Sequence, residues 1–252
     1  MRHYLVVIAA LAALVVTSST ADVTIVRRAA GGVGPCDGFS EAYDLEEDFG
    51  NVAADGCDSG QVENSTFFVD NANTTILCDD TTTVYAGENV NIDDDGGNSA
   101  VYVDDVGTDN ERRYQSVVMR LPLAGDIGDA GYFRAMAGTT TVCRITVTTG
   151  TFWVQTDLGG DSDTGVTASA ETNYALRFET EEGTDGFCTI CIKVAADDDD
   201  SWGTCTQVTY NDNKNVNRSR FNALPTNRDV LFDRFRQNYG TAIDACEYAD
   251  LP

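Results

Sequence analysis

Histidine is nearly absent from this sequence of 252 residues; the single one, His3, stands close to its start. Histidine-based acid/base catalysis and the Ser-His and Cys-His nucleophile pairs are thereby excluded from everything downstream. Lysine is confined to Lys193 and Lys214, and 16 basic residues stand against 41 acidic ones, a formal net charge of −25. A field of that sign repels nucleic acid and anionic membrane surfaces. Past residue 21 no apolar run approaches the roughly twenty residues that span a bilayer, so membrane insertion is not expected. No self-similarity at a period of about 20–50 residues is visible, which removes solenoids and propellers, and no sustained helical period is present.

What is there begins with an export signal: Arg2, an apolar stretch over residues 5–16, and the small residues Ser19-Thr20-Ala21 at a cleavage site. The reading is a signal peptide over 1–21, a flexible leader over 22–35 containing Arg27-Arg28 and a Gly-rich run, and one domain over 36–252. Secretion or display at the cell surface follows. Loss of Arg2 with the signal makes the mature chain one unit more negative. The acids are mostly Asp, short groups suited to loops, a pattern that fits either solubility in salty water or divalent cation binding.

All eight cysteines, Cys36, Cys57, Cys78, Cys143, Cys188, Cys191, Cys205 and Cys246, lie beyond the signal. An even count in an exported chain reads as four disulfides, with connectivity open among about a hundred pairings. Cys188 and Cys191 fall within an expected strand, where positions three apart point to opposite faces. They are therefore poorly placed to pair with each other or to grip one metal.

Short β-rich runs separated by Gly, Asp, Asn and Thr fill the rest. Strands are expected over 66–69, 75–78, 82–85, 100–103, 114–121, 131–137, 141–148, 151–156, 174–180, 187–194, 204–210 and 230–235. Tyr174, Leu176 and Phe178 alternate with Ala175, Arg177 and Glu179, and Phe152 and Val154 alternate with Trp153 and Gln155. The fold class is all-β, a two-sheet antiparallel sandwich.

Four local patterns then carry a likeness: Gly131-Tyr132-Phe133-Arg134; Tyr174-Ala175-Leu176-Arg177-Phe178 followed by Gly183-Thr184; Ile192-Lys193-Val194 with an acidic loop leading to Ser201-Trp202; and Val230-Leu231-Phe232-Asp233-Arg234-Phe235. In this order the stretch 114–239 resembles the laminin G-like, concanavalin A-like jelly-roll modules. The resemblance implies a disulfide-stabilised jelly roll with Trp202 in the core. It also implies that Asp37-Gly38-Phe39 forms a first strand beside the last one, which would bring Cys36 near Cys246.

Three constellations are candidates for chemistry. Glu179 and Glu181 share one face of a strand beside Arg177, as paired carboxylates do in jelly-roll glucanases, but Phe178-Glu179-Thr180-Glu181-Glu182-Gly183 departs from the spacing of that family's motif, and a solvated strand end is the expectation. Asn91-Ile92-Asp93-Asp94-Asp95-Gly96 approaches a calcium turn, with Asn91, Asp93 and Asp95 as ligands for Ca2+; Asp161-Ser162-Asp163-Thr164-Gly165 and residues 197–200 are further oxygen-rich loops. Tyr102, Tyr132, Arg134 and Trp153 supply the aromatic faces and planar polar group that stack on and hydrogen-bond sugars. The leading expectation is a non-catalytic module that binds a polysaccharide or glycan. Its alternatives are a structural or assembly protein of a cell surface or virion, which would self-associate, and a polysaccharide-degrading hydrolase or lyase.

Overall fold

Alternation of apolar and polar side chains makes strands here, and β-branched residues stiffen them. A computed structural model of the chain describes residues 35–37, 39–47, 68–70, 75–79, 89–93, 100–104, 112–121, 132–156, 160–181, 186–209, 216–222, 230–249 and 251. Among these residues the strands are β1 (Leu45–Glu47), β2 (Phe68–Asp70), β3 (Thr75–Asp79), β4 (Asn89–Asp93), β5 (Ala100–Asp104), β6 (Arg113–Arg120), β7 (Tyr132–Ala137), β8 (Thr140–Thr148), β9 (Thr151–Thr156), β10 (Asp161–Thr167), β11 (Asn173–Glu181), β12 (Phe187–Val194), β13 (Thr204–Thr209), β14 (Arg218–Asn222) and β15 (Val230–Tyr239). A short 3-10 turn (Ala245–Tyr248) follows. No helix among the described residues is long and apolar enough to cross a membrane.

The strands form two antiparallel sheets. One has eight strands in the order β13-β12-β11-β6-β15-β4-β3 with β1 also on β15; the other has seven, in the order β10-β9-β8-β7-β14-β5-β2. Strand β15 organises the first sheet: β6 lies along one side, while β4 and then β1 take successive halves of the other, at residues 230–232 and 235–237. The register shift in β15 between Asp233 and Arg236 coincides with Arg234 at φ 53°, a left-handed residue inside a bulge. Between β8 and β9, Thr149 (φ 52°) and Gly150 (φ 80°) make a two-residue hairpin turn whose two positive φ values match the strand twist.

The two inner faces meet in one apolar layer. Phe133 stacks on Phe221 at 4.8 Å between ring centres, and Phe221 meets Phe235 edge-on at 5.5 Å. Tyr174, Leu176 and Phe178 enter this layer from β11, and Phe152 and Val154 enter it from β9. A disulfide between Cys143 of β8 and Cys188 of β12 ties one sheet to the other. A second cluster lies on the opposite side of the eight-stranded sheet, where Tyr114, Val118, Ala175, Cys191, Trp202 and Leu231 are covered by Ile243, Ala245, Tyr248 and Leu251 of the C-terminal segment. The expected two-sheet antiparallel sandwich is the fold of the chain.

Several local expectations are corrected. The strand beside β15 is Leu45–Glu47 rather than 37–39, since residues 35–37 form a turn closed by Phe39 N donating to Cys36 O at 3.0 Å. Residues 161–165, read as an oxygen-rich loop, belong to β10, which among the described strands pairs with β9. Strands β1, β4 and β14 were also unforeseen. The expected strand at 82–85 lies outside the described residues.

The cysteines follow the strand geometry. Cys188 faces the inter-sheet layer and pairs with Cys143, whereas Cys191 faces the second cluster and pairs with Cys205, its direct neighbour on β13. Cys36 pairs with Cys246, linking the start of the described domain to the 3-10 turn. Cys78 lies in β3, and Cys57 lies outside the described residues.

Candidate functional site

The outer face of the seven-stranded sheet is where the polar pattern becomes organised. In β7, β8 and β14 an arginine stands between two buried residues: Phe133-Arg134-Ala135, Cys143-Arg144-Ile145 and Ser219-Arg220-Phe221. Period-two alternation turns all three arginines away from the core. The register then aligns them. Tyr102 opposes Arg220, Arg220 opposes Arg134, Arg134 opposes Arg144, Arg144 opposes Gln155, and Gln155 opposes Asp161. Strands sit about 4.8 Å apart, so the three arginine positions span about 10 Å across the sheet.

The described contacts hold this row from within the sheet. Arg144 Nε donates to Gln155 Oε1 at 2.7 Å, and Gln155 Nε2 donates to Asp161 Oδ2 at 3.4 Å. Arg134 Nη1 donates to Thr141 Oγ1 at 3.5 Å. Two residues along β9 from Gln155 and on the same face, Trp153 opposes Thr146 and Asp163 and is half-buried, with its Nε1 buried and without a hydrogen-bond partner among the described residues. Tyr132 occupies the register position opposite Asn222, next to Phe133 on β7. The four residues singled out for sugar contact, Tyr102, Tyr132, Arg134 and Trp153, thus fall on one sheet, on β5, β7 and β9, with β14 and β8 between those strands. Arg144, Arg220 and Gln155 were missed. The repeated buried–Arg–buried triplet was the available signal, but only strand order shows that the triplets are adjacent.

The outer face of the eight-stranded sheet is built differently. Tyr248 is fully buried and meets Trp202 edge-on at 5.5 Å; its hydroxyl hydrogen-bonds Ser116 Oγ at 2.6 Å and donates to Arg234 O at 3.0 Å. Trp202 Nε1 donates to Ile243 O at 2.9 Å, and the Arg177 guanidinium lies 5.2 Å from the Trp202 ring. Burial pulls the affinity of Arg177 for its proton below the usual arginine value. Glu247 accepts from Arg236 Nε at 3.0 Å and from Tyr43 O–H at 2.7 Å, and its Oε1 pairs as an ion with Arg234, whose Nε lies 2.8 Å away. Burial, reinforced by the adjacent Glu247 carboxylate, keeps the Tyr43 phenol protonated well above its ordinary range; burial does the same for Tyr248.

Glu179 and Glu181 stand on that sheet, not beside the arginine row. Both are held by one cation: Arg112 Nη1 lies 3.4 Å from Glu179 Oε1, and Arg112 Nε donates to Glu181 Oε2 at 2.8 Å. Hydrogen bonding with its neighbours, first Tyr114 and then Glu181, raises Arg112 above its ordinary value. An acid and a base working on one bond must face a shared cleft; two carboxylates gripping one arginine form a surface ion cluster.

Among the described residues no group of three His, Cys, Asp or Glu side chains is arranged to hold a metal. Asn91 and Asp93 lie in β4, with their backbone in the ladder between β3 and β15, and Asp95 lies outside the described residues. In the acidic loop after β12, Lys193 Nζ donates to the backbone carbonyls of Asp198 and, at 3.1 Å, Ser201. A buried ammonium there takes the carbonyl oxygens that a cation would use.

No protein-family model matches the chain, and no curated protein matches its sequence. Solved structures do match. An endo-β-1,4-glucuronan lyase from the fungus Trichoderma reesei aligns with a TM-score of 0.55 at 12% identity, over 83% of this chain and 98% of the lyase. The cellulose-induced protein Cip1 aligns with a TM-score of 0.52 at 12% identity, over 79% of this chain and 99% of its own. The chain shares the fold of these proteins, a concanavalin A-like jelly roll.

Proposed function

We propose that this chain is an exported, non-catalytic carbohydrate-binding module that engages a polysaccharide through the outer face of its seven-stranded sheet. The observation that carries the reading is the row Arg220, Arg134, Arg144 and Gln155 across four adjacent strands, with Trp153 beside it. Planar donors in a fixed row, next to an indole, offer a long sugar chain both hydrogen bonds and a stacking surface. Export is supported by the leader at 1–21 and by disulfides, which persist in oxidising compartments. The fold is one on which polysaccharide chemistry occurs, as the glucuronan lyase exemplifies.

Binding is favoured over hydrolysis because Glu179 and Glu181, the best carboxylate pair of the sequence, lie on the other sheet and are bound to Arg112. The test is a polysaccharide array probed with the oxidised mature chain. Specific retention that is lost in Trp153→Ala and kept in Glu179→Gln supports the reading. Retention of no polysaccharide overturns it, and concentration-dependent self-association without glycan would put an assembly role in its place. A chelator arm tests calcium at Asn91, Asp93 and Asp95: lost binding with EDTA, restored by Ca2+, is the expectation if an ion organises the sheet end that β4 enters.

A further inference from the structure

We infer that the disulfide between Cys191 and Cys205 is a redox switch: a dithiol reductant opens it in the folded protein, and Arg177 receives the thiolate that forms at Cys191. Three disulfides lie among the described residues, and they differ in their surroundings. Cys143 and Cys188 are both 0% exposed between the sheets, beyond the reach of a reductant while the fold is closed. Cys36 and Cys246 are half-buried, with Asp37, Asp244 and Glu247 close to them in the chain, acids that disfavour a thiolate. Cys205 is exposed on β13, whereas its partner Cys191 is 1% exposed in the cluster under the C-terminal segment. A thiolate attacks one sulfur of a disulfide and expels the other. A nucleophile arriving from solvent at Cys205 therefore drives its leaving sulfur inward.

On the inward side stands a cation. Arg177, half-buried on β11, opposes Cys191 on β12 and donates from Nη2 to its Sγ at 3.3 Å. Its Nη1 donates to Ile243 O at 3.3 Å, and its Nε is buried with no partner among the described residues. None of the described ion pairs includes it, and Glu179 and Asp244 act on it only at longer range. Holding a guanidinium there costs desolvation that a neutral disulfide sulfur returns poorly and a thiolate returns well. In the opening step the reductant's first thiolate bonds to Cys205 Sγ, the Cys191–Cys205 bond breaks, and its electron pair leaves as the Cys191 thiolate against Arg177. The reductant's second thiolate then closes on its first sulfur, forming the reductant's own disulfide and releasing Cys205, which takes a proton. Two electrons have passed from the dithiol to the protein, and one proton goes to solvent. The consequences reach two elements. Strand β13 is the edge of its sheet, pairs with β12 and buries only Val208, so it loosens first. Arg177 is drawn toward Cys191 and away from Ile243 O, leaving Trp202 Nε1 as the donor that holds that carbonyl of the covering segment.

The experiment exposes the oxidised mature chain to dithiothreitol under native conditions, traps new thiols with an alkylating agent at timed intervals, and maps them by peptide mass spectrometry. Hydrogen–deuterium exchange is read on the same samples. The expected result is labelling of Cys191 and Cys205 at least about tenfold faster than of Cys36, Cys246, Cys143 and Cys188. Exchange should rise in β13 and in residues 243–249 and stay level in β8 and β9. Arg177→Gln should slow the opening about three- to tenfold, since a hydrogen bond to a half-developed thiolate is worth about that factor. Arg177→Lys should recover part of the rate. Labelling of Cys36 and Cys246 as fast as of Cys191 and Cys205, or exchange that rises through both sheets, overturns the switch. Selective opening that is unchanged in a folded Arg177→Gln chain overturns the role of Arg177, as does exchange that rises in β13 but not in residues 243–249. The order of opening in the unaltered chain decides the switch even where neither Arg177 variant folds.

Discussion

The two outer faces of this sandwich are made by the same rule and end in opposite states. On the eight-stranded sheet the outward residues include Tyr114, Val118, Ala175 and Leu231, and a C-terminal segment closes over them. On the seven-stranded sheet the outward positions of β7, β8, β9 and β14 carry Arg134, Arg144, Trp153, Gln155 and Arg220, all half-buried. Alternation produces two sides of a strand, but what each side meets is decided by distant chain. The covered face should therefore hold stability, and the arginine face should hold ligand. Substitutions can separate these roles.

The largest separation is expected at Glu247. Its carboxylate, 8% exposed, holds Arg234, Arg236 and Tyr43 together over the covered face. Glu247→Ala takes from the buried Arg236 the carboxylate that accepts from its Nε, which costs about 3–5 kcal/mol. A chemical denaturation midpoint reads this directly, and a loss under about 1 kcal/mol would mean that the covered face does not hold the fold. Next comes the disulfide between Cys36 and Cys246, separated by 210 residues, which pins the covering segment. Cys246→Ser with Cys36→Ser should cost about 2–5 kcal/mol. In a Trp153→Phe background, partial denaturation should red-shift Trp202 emission first, because the segment above it lifts before the sheets part.

Much of this comparison was legible in the sequence. Strands at 151–156 and 187–194 were predicted to the residue, because Phe152-Trp153-Val154 and Ile190-Cys191-Ile192 sit between unambiguous turns. The opposed directions of Cys188 and Cys191 followed from the same geometry. What escaped were segments whose composition argues against a strand: Asp161–Thr167, with its Asp and Gly, and Asn89–Asp93, which resembled the opening of a calcium loop. Sheet neighbours supplied their ladders, and tertiary pairing overrode weak β-propensity. The covered face also escaped. Ala175 and Arg177 read as the wetter side of β11, and only the return of residues 243–251 over them makes that side a second core. Of the candidate site, single residues were visible but not the row, because strand order within a sheet is not written in any local pattern.

A smaller effect distinguishes the faces by pH. Tyr43 and Tyr248 hold their phenolic protons above the ordinary value of 10.0 because burial disfavours the phenolate. The unfolded chain releases those protons near the ordinary value while the folded chain keeps them. Their contribution to stability is therefore whole below that pH and is lost as pH rises beyond it. Tyr43→Phe and Tyr248→Phe should each shift the alkaline unfolding midpoint upward in circular dichroism scans. Arginine keeps its charge throughout that range, so polymer binding by the arginine face should stay level until the fold itself gives way. Binding that declines ahead of unfolding would place a titrating group in the site and break the division between the faces.

The smallest expected change is the one that bears most on function. Arg144 donates to Gln155, yet it stands between Arg134 and Gln155 on a sheet whose inner face carries the core. Arg144→Gln removes one member of a like-charge pair and one part-buried hydrogen bond, effects of opposite sign and similar size. The net change in stability should lie within about 0.5 kcal/mol. A ligand that binds only the folded state raises its melting temperature with the logarithm of one plus the ratio of free ligand to Kd, so the same variant should erase the shift that a bound polysaccharide produces in the unaltered chain. An arginine that matters little to the free protein and decisively to the complex is maintained by the complex. If Arg144→Gln instead destabilised the free chain as much as Glu247→Ala does, the row would belong to the architecture, and the two faces would differ in composition but not in role.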